Sequence, residues 1–239
     1  MSQTDRTDMK SRIADAFGGF LQRNRRVLVI SLIVIAVAIV GFFIYTQIAE
    51  ARLQSSTSMV ENLQQDYDQW LNAEEGESRT ELRTSILEDA QEIIDTYPNY
   101  YAAARALFIR GNIHWEMEEY AEAAADYRQL ADNHRASHLA PVALYNASAG
   151  LEESGDTEAA VEALETLLSR YRDENAPEVP RALFSLGRIH EQQGEYQTAA
   201  EHYRDLVDSY GNSSWTSLAR DRIIWLTTQG QIESESGQG

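Results

Sequence analysis

Between Leu183 and Leu206 the chain reads LFSLGRIHEQQGEYQTAAEHYRDL, two short amphipathic segments parted at Gln193-Gly194-Glu195. Leu183, Leu186, Gly187 and His190 share one side of the first segment at helical spacing. Tyr196, Ala199, Ala200, Tyr203 and Leu206 share one side of the second. Large and small residues alternate at fixed offsets, and the small ones let two helices approach closely. The same offsets return upstream. Leu107-x2-Arg110-Gly111-x2-His114 is followed by Tyr120, Ala123, Tyr127 and Leu130. A more divergent copy runs through Leu144, Ala147, Ser148 and Leu151 to Gly155, Ala160, Leu164 and Leu167. Gly111 and Ser148 lie 37 residues apart, and Ser148 and Gly187 39. Near-regular recurrence at this period predicts helical hairpins stacked in series.

The recurring unit resembles the tetratricopeptide repeat, whose pattern is W-x2-L-G-x2-Y, then A-x3-F, then P. Ala123-x3-Tyr127 and Ala199-x3-Tyr203 match its second half. Leucine replaces the opening Trp, His114 and His190 replace the first Tyr, and Arg135 and Gly211 stand at the terminal Pro. The resemblance implies an all-α solenoid of about four hairpins that binds other proteins.

Charge narrows the partners. The 239 residues carry a net charge of −18, yet residues 1–26 sum to +3, with Arg6, Lys10, Arg12, Arg23, Arg25 and Arg26 against three aspartates. The rest is therefore strongly acidic and repels nucleic-acid phosphates and anionic headgroups; basic or hydrophobic protein partners fit better. The chain has no cysteine, which excludes disulfides, thiolate chemistry and lipoprotein acylation.

In chain order, residues 1–26 form a basic stub in which Met9, Ile13, Phe17 and Phe20 recur at roughly helical spacing. They read either as a helix on a membrane surface or as a partly disordered tail. Val27 to Tyr45, VLVISLIVIAVAIVGFFIY, is an uncharged run of 19 residues, long enough as a helix to span about 28 Å of hydrocarbon. Ala36-Val37-Ala38 matches a signal-peptidase rule, but the apolar run continues beyond it, so a retained anchor over 27–48 is expected. The arginines at its start place the N-terminus in the cytoplasm and the repeats across the membrane, which in a Gram-negative bacterium is the periplasm. A solenoid is expected over 49–229. A degenerate first hairpin spans Ile48 to Ile94, with a break and new cap at Ser55-Ser56-Thr57-Ser58, an acidic loop around Gly76 and a stop at Tyr97-Pro98. Clearer hairpins follow at about 101–136, 140–172 and 178–211, with Pro141 and Pro180 at helix starts. Trp215 to Leu226 gives a capping helix, and residues 230–239 a disordered polar tail.

Catalytic chemistry finds little support. His134 and His138 have the i,i+4 spacing of a metal pair but no third ligand nearby. His114 and His190 read as packing residues, and Glu116, Glu118, Glu119, Glu152 and Glu153 as a solvated face. No phosphate loop or nucleophile elbow is present, so neither enzyme activity nor a cofactor or metal is expected.

The groove is more informative. Three residues before Gly111, Ser148 and Gly187 stand Phe108, Tyr145 and Phe184, an aromatic at one recurring position. Arg105, Asn112, Trp115, Arg181 and Arg188 surround them. Rings with interspersed guanidinium groups suit an extended peptide, the rings burying apolar side chains and the arginines holding carbonyls or carboxylates. The alternative is that the rings pack between neighbouring repeats. The layout of basic stub, single span and acidic solenoid resembles the membrane-anchored tetratricopeptide-repeat family that includes the ancillary subunit of the bacterial Sec translocon. That resemblance implies a non-catalytic inner-membrane helper contacting exported chains. An envelope scaffold for outer-membrane assembly or cell-division coordination is the alternative.

Overall fold

The structure is a computed structural model and describes residues 23–233. The amphipathic reading of the first 21 residues and the end of the tail, beyond Glu233, lie outside the described residues. Among the described residues all regular structure is helical. The chain divides into two compact units, one ending at Gln54 and the other starting at Ser55.

The first unit holds the apolar part of helix α1 (Arg25–Asn72). Its most apolar 18-residue window has a mean hydropathy of 3.3 and no buried residue, and the helix is long and apolar enough to cross a membrane.

The second unit holds the C-terminal part of α1 followed by α2 (Glu77–Thr96), α3 (Tyr101–Glu116), α4 (Tyr120–Asn133), α5 (Leu139–Glu153), α6 (Thr157–Tyr171), α7 (Val179–Gln192), α8 (Tyr196–Ser209) and α9 (Ser214–Thr228). Neighbouring helices pack in succession, giving a TPR-like solenoid with one continuous core. Pro180 opens α7 at its first turn, where no backbone donor is needed.

The turns inside the three clear hairpins are built alike. Each first helix ends in a residue of left-handed backbone seven positions after the small residue: Glu118 (φ 60°), Gly155 (φ 90°) and Gly194 (φ 78°). Two amide bonds close each turn. Glu119 donates to the His114 carbonyl at 2.9 Å, Asp156 to Leu151 at 2.8 Å and Glu195 to His190 at 2.8 Å. Glu118, Gly155 and Gly194 each donate three residues back at 3.0 Å. These are Schellman closures. Glycine takes the left-handed conformation freely; Glu118 occupies it with a Cβ.

Close approach is fixed by a residue pair 16 positions apart. The Tyr127 ring lies against Gly111, where a Cβ would meet its Cε1 at 2.7 Å. The Tyr203 ring covers Gly187, where the same contact would fall to 2.4 Å. In the middle hairpin the equivalent positions are Ser148 and Leu164, both buried: a larger residue replaces the glycine and a smaller one the tyrosine. The sequence signature of alternating sizes is thus a knob and its hole.

Two expectations are corrected. Helix α1 does not break at Ser55 to Ser58 but continues to Asn72. Its serines serve tertiary contacts there: Ser56 is buried, and Ser55 Oγ accepts from the Tyr97 hydroxyl at 3.0 Å. The tail also begins later than Gln231. Gln231 donates to the Leu226 carbonyl at 3.0 Å, and Ile232 is buried, the apolar contact that commonly accompanies this closure.

Candidate partner-binding groove

The recurring aromatics take two kinds of place. Phe108 tilts against Tyr127 with centroids 5.7 Å apart, and Phe184 lies between Tyr203 at 5.6 Å and Trp215 at 5.4 Å. Both are half-buried and pack on the tyrosine of their own hairpin. Tyr145 is different, because its hairpin carries Leu164 instead of tyrosine. Its hydroxyl shares a 3.3 Å hydrogen bond with Ser185, and the Arg181 guanidinium lies 3.8 Å over its ring.

Asn112, Trp115, Tyr145 and Arg181 line one cleft of about 250 Å3. They are joined by Tyr67 from α1, Tyr127 from α4, and Glu116, Asn146 and Ala149. Trp115 meets the edge of Tyr120 at 5.1 Å, which fixes its plane. The floor is polar: the Tyr127 hydroxyl donates to Asn112 Oδ1 at 2.7 Å. Burial pushes the Tyr127 phenol well above its ordinary range; Asn146 works against that rise, and Asp126 and Glu116 add to it. Burial also raises Tyr67, opposed by the Asn112 amide and reinforced by Glu116 and Asp68. Both phenols are therefore neutral and sit in a negative field.

Two of the sequence-derived arginines belong elsewhere. Arg105 donates to Gln64 at 3.2 Å. Arg188 donates to both carboxylate oxygens of Glu152 at 2.5 and 2.6 Å, a fork joining α7 to α5. Glu152 is thus part of an ion pair and not of a solvated face. Arg222 of α9 grips Glu191 of α7 in the same manner. A further, nearly buried fork joins Arg110 to Asp126 at 2.9 to 3.0 Å from Nε. Bidentate geometry makes these pairs the strongest of the polar contacts between helices.

The histidines are turn fasteners. Nδ1 of His114 lies 2.7 Å from Glu119 Oε2, and Nδ1 of His190 lies 2.7 Å from Glu195 Oε2. Glu119 and Glu195 occupy N-cap positions without capping, since their carboxylates turn back to the histidines. Where Leu151 replaces the histidine, Asp156 caps α6 through the Ala159 amide at 3.1 Å. His138 shares a 3.2 Å hydrogen bond with the Tyr101 hydroxyl, while His134 stands at the end of α4.

The fold and its lined cleft define a helical-repeat module for protein–protein interaction. The family described as a tetratricopeptide repeat-like domain matches residues 19–178, and the tetratricopeptide repeat matches residues 150–214. The first match covers well over half of the chain, which therefore belongs to the tetratricopeptide repeat-like domain family. The chain is 32% identical over 130 residues to a TPR repeat-containing protein of Treponema pallidum (strain Nichols), across 54% of this chain and 52% of that protein. It thus spans about half the length of this relative. A crystal structure of MamA aligns with a TM-score of 0.44 and 13% identity, covering 66% of this chain and 94% of that one.

Proposed function

We propose that the protein is a non-catalytic, membrane-anchored helper that binds other proteins on the far side of the bacterial inner membrane, at the Sec translocon, and acts on exported chains. The observation that carries the reading is the pairing, on one chain, of an unburied apolar helix with a repeat module that has an aromatic, hydrogen-bonding cleft. An apolar segment whose most apolar 18-residue window has no buried residue loses roughly 25 cal/mol per Å2 in water, so a bilayer is the natural solvent for it. Anchoring confines the cleft beside the membrane and raises its effective concentration for clients emerging there. The arginines preceding Val27 favour a cytoplasmic N-terminus.

The groove of this reading has Asn112, Trp115, Tyr145 and Arg181 at the cleft, with Arg105, Phe108, Phe184 and Arg188 named from the same repeat frame. Site-specific photo-crosslinking from Trp115 and Tyr145 in intact cells, read by mass spectrometry, tests it. Adducts with translocon subunits or exported chains are expected. Adducts confined to one outer-membrane or division protein would replace the helper by a scaffold. Absence of protein adducts from both positions would refute the groove.

A further inference from the structure

The first helices of successive hairpins are tied by a repeated rung. In the third clear hairpin the residue just after the small residue is an arginine that grips the fourth residue after the small residue of the hairpin before it. Arg188 thereby holds Glu152. Arg222 of the last helix holds Glu191, at the same place in its hairpin. At the junction of the first two clear hairpins both partners are replaced: Ala149 stands where the arginine should be, and Trp115 where the carboxylate should be. The next residue, Glu116, is an exposed carboxylate. Ala149, Trp115 and Glu116 all line the cleft. The cleft lies at the junction that lacks the rung.

We propose that a partner protein completes this rung by inserting an arginine or lysine from an extended basic segment into the cleft, with Glu116 as counter-ion. The proposal rests on the groove reading above and names the chemistry of its occupant. The walls suit a cation. Tyr67, Trp115 and Tyr145 present rings, and cations bind over aromatic faces within about 6 Å of the centroid. Tyr145 already does so, with Arg181 at 3.8 Å. Arg181 also lies 5.8 Å from the Trp215 ring, so two aromatic rings hold its charge. Glu116 adds to the negative potential at the Tyr67 and Tyr127 phenols, and the net charge of −18 steers basic segments in and acidic ones away.

The test uses the full chain in detergent and short alanine-serine peptides that differ only at the central residue: arginine, lysine, citrulline or glutamate. Affinity is read by fluorescence anisotropy and contact by protection of Trp115 from a soluble quencher, referenced to Trp115→Phe. The arginine and lysine peptides should bind at least about ten-fold more tightly than citrulline, which keeps the shape and removes the charge. Glu116→Gln should lose about five-fold, whereas Glu165→Gln, an exposed carboxylate on α6, should lose nothing. Ala149→Arg supplies the rung in cis and should abolish binding. If that variant does not fold, the comparison of Glu116→Gln with Glu165→Gln decides alone. Equal affinity for arginine and citrulline, preference for glutamate, or equal loss in the two glutamine variants would overturn the cation seat. Protection of Trp115 by all four peptides alike would leave the groove standing while refuting its basic occupant. Failure of every peptide to protect Trp115 would refute both.

Discussion

Replacing Gly187 by alanine sets two large effects against each other. In the middle of α7 the change gains about 1 kcal/mol of helix propensity. The added Cβ, however, would stand 2.4 Å from Cε1 of Tyr203, against an ordinary carbon contact of about 3.5–4.0 Å. The ring has nowhere to go. Tyr203 is fully buried, its hydroxyl donates to Glu191 at 3.0 Å, and Glu191 is itself held by Arg222. Overpacking costs about 1–3 kcal/mol, and a ring pinned at its far end belongs near the top of that range. The net expectation is destabilisation of about 2 kcal/mol, or a fall in Tm of roughly 4–8 °C at about 2–4 °C per kcal/mol for a unit of this size. Thermal and urea unfolding followed by circular dichroism read it. A control follows the middle hairpin, which carries Leu164 where the others carry tyrosine. In a Tyr203→Leu background, Gly187→Ala should cost less than about 0.5 kcal/mol, so that the cycle shows strong coupling between the two positions. A neutral or stabilising Gly187→Ala, or an equal penalty with Leu at position 203, would refute the knob-and-hole account.

Glu118 holds a left-handed conformation that costs an L-residue about 1–2 kcal/mol, partly offset by the greater freedom glycine has when unfolded. Glu118→Gly should therefore stabilise by about 0.5–1 kcal/mol in chemical denaturation, while Gly194→Ala should destabilise by about 1 kcal/mol. His202 stacks on His190 at 5.4 Å, and burial followed by the neighbouring His190 lowers its pKa below 6.5, against the opposing pull of Asp205, Glu165 and Glu201. A depressed histidine is neutral when folded and takes up its proton when unfolded. Stability is then complete above pH 6.5 and declines as pH falls below it. His202→Gln should flatten unfolding midpoints measured between neutral and mildly acidic pH; an unchanged slope would count against this assignment.

The solenoid was legible because its cause is local. Offsets such as Leu183, Leu186 and Gly187 record which side of a helix is buried, and the partner of each small residue lies only 16 positions away. Asn112, Trp115, Tyr145 and Arg181 line one cleft although they stand at different positions of the repeat frame, because the first helices of successive hairpins are neighbours in space. Arg188 was misplaced because its partner, Glu152, lies 36 residues away, and no periodicity within a hairpin signals which charge an arginine will find. The rung shows only when the residues just after the small position and four after it are compared between adjacent copies. Tyr67, which completes the cleft from α1, had no counterpart in the repeat pattern at all. Ser55 to Ser58 misled for a related reason: serine favours helix starts only when its hydroxyl has no better partner, and Tyr97 provides one.

The pairing of Gly111 with Tyr127, Ser148 with Leu164 and Gly187 with Tyr203 also bears on how such a chain grows by duplication. A crossover between hairpins leaves every pair intact. A crossover inside one would set Ser148 beneath a tyrosine, or leave a glycine beneath Leu164 with a void where the ring belongs. A joint at the turns of Glu118 and Gly194 would keep a glycine beneath a tyrosine, so it is the middle hairpin, turning at Gly155, that must be exchanged as a whole.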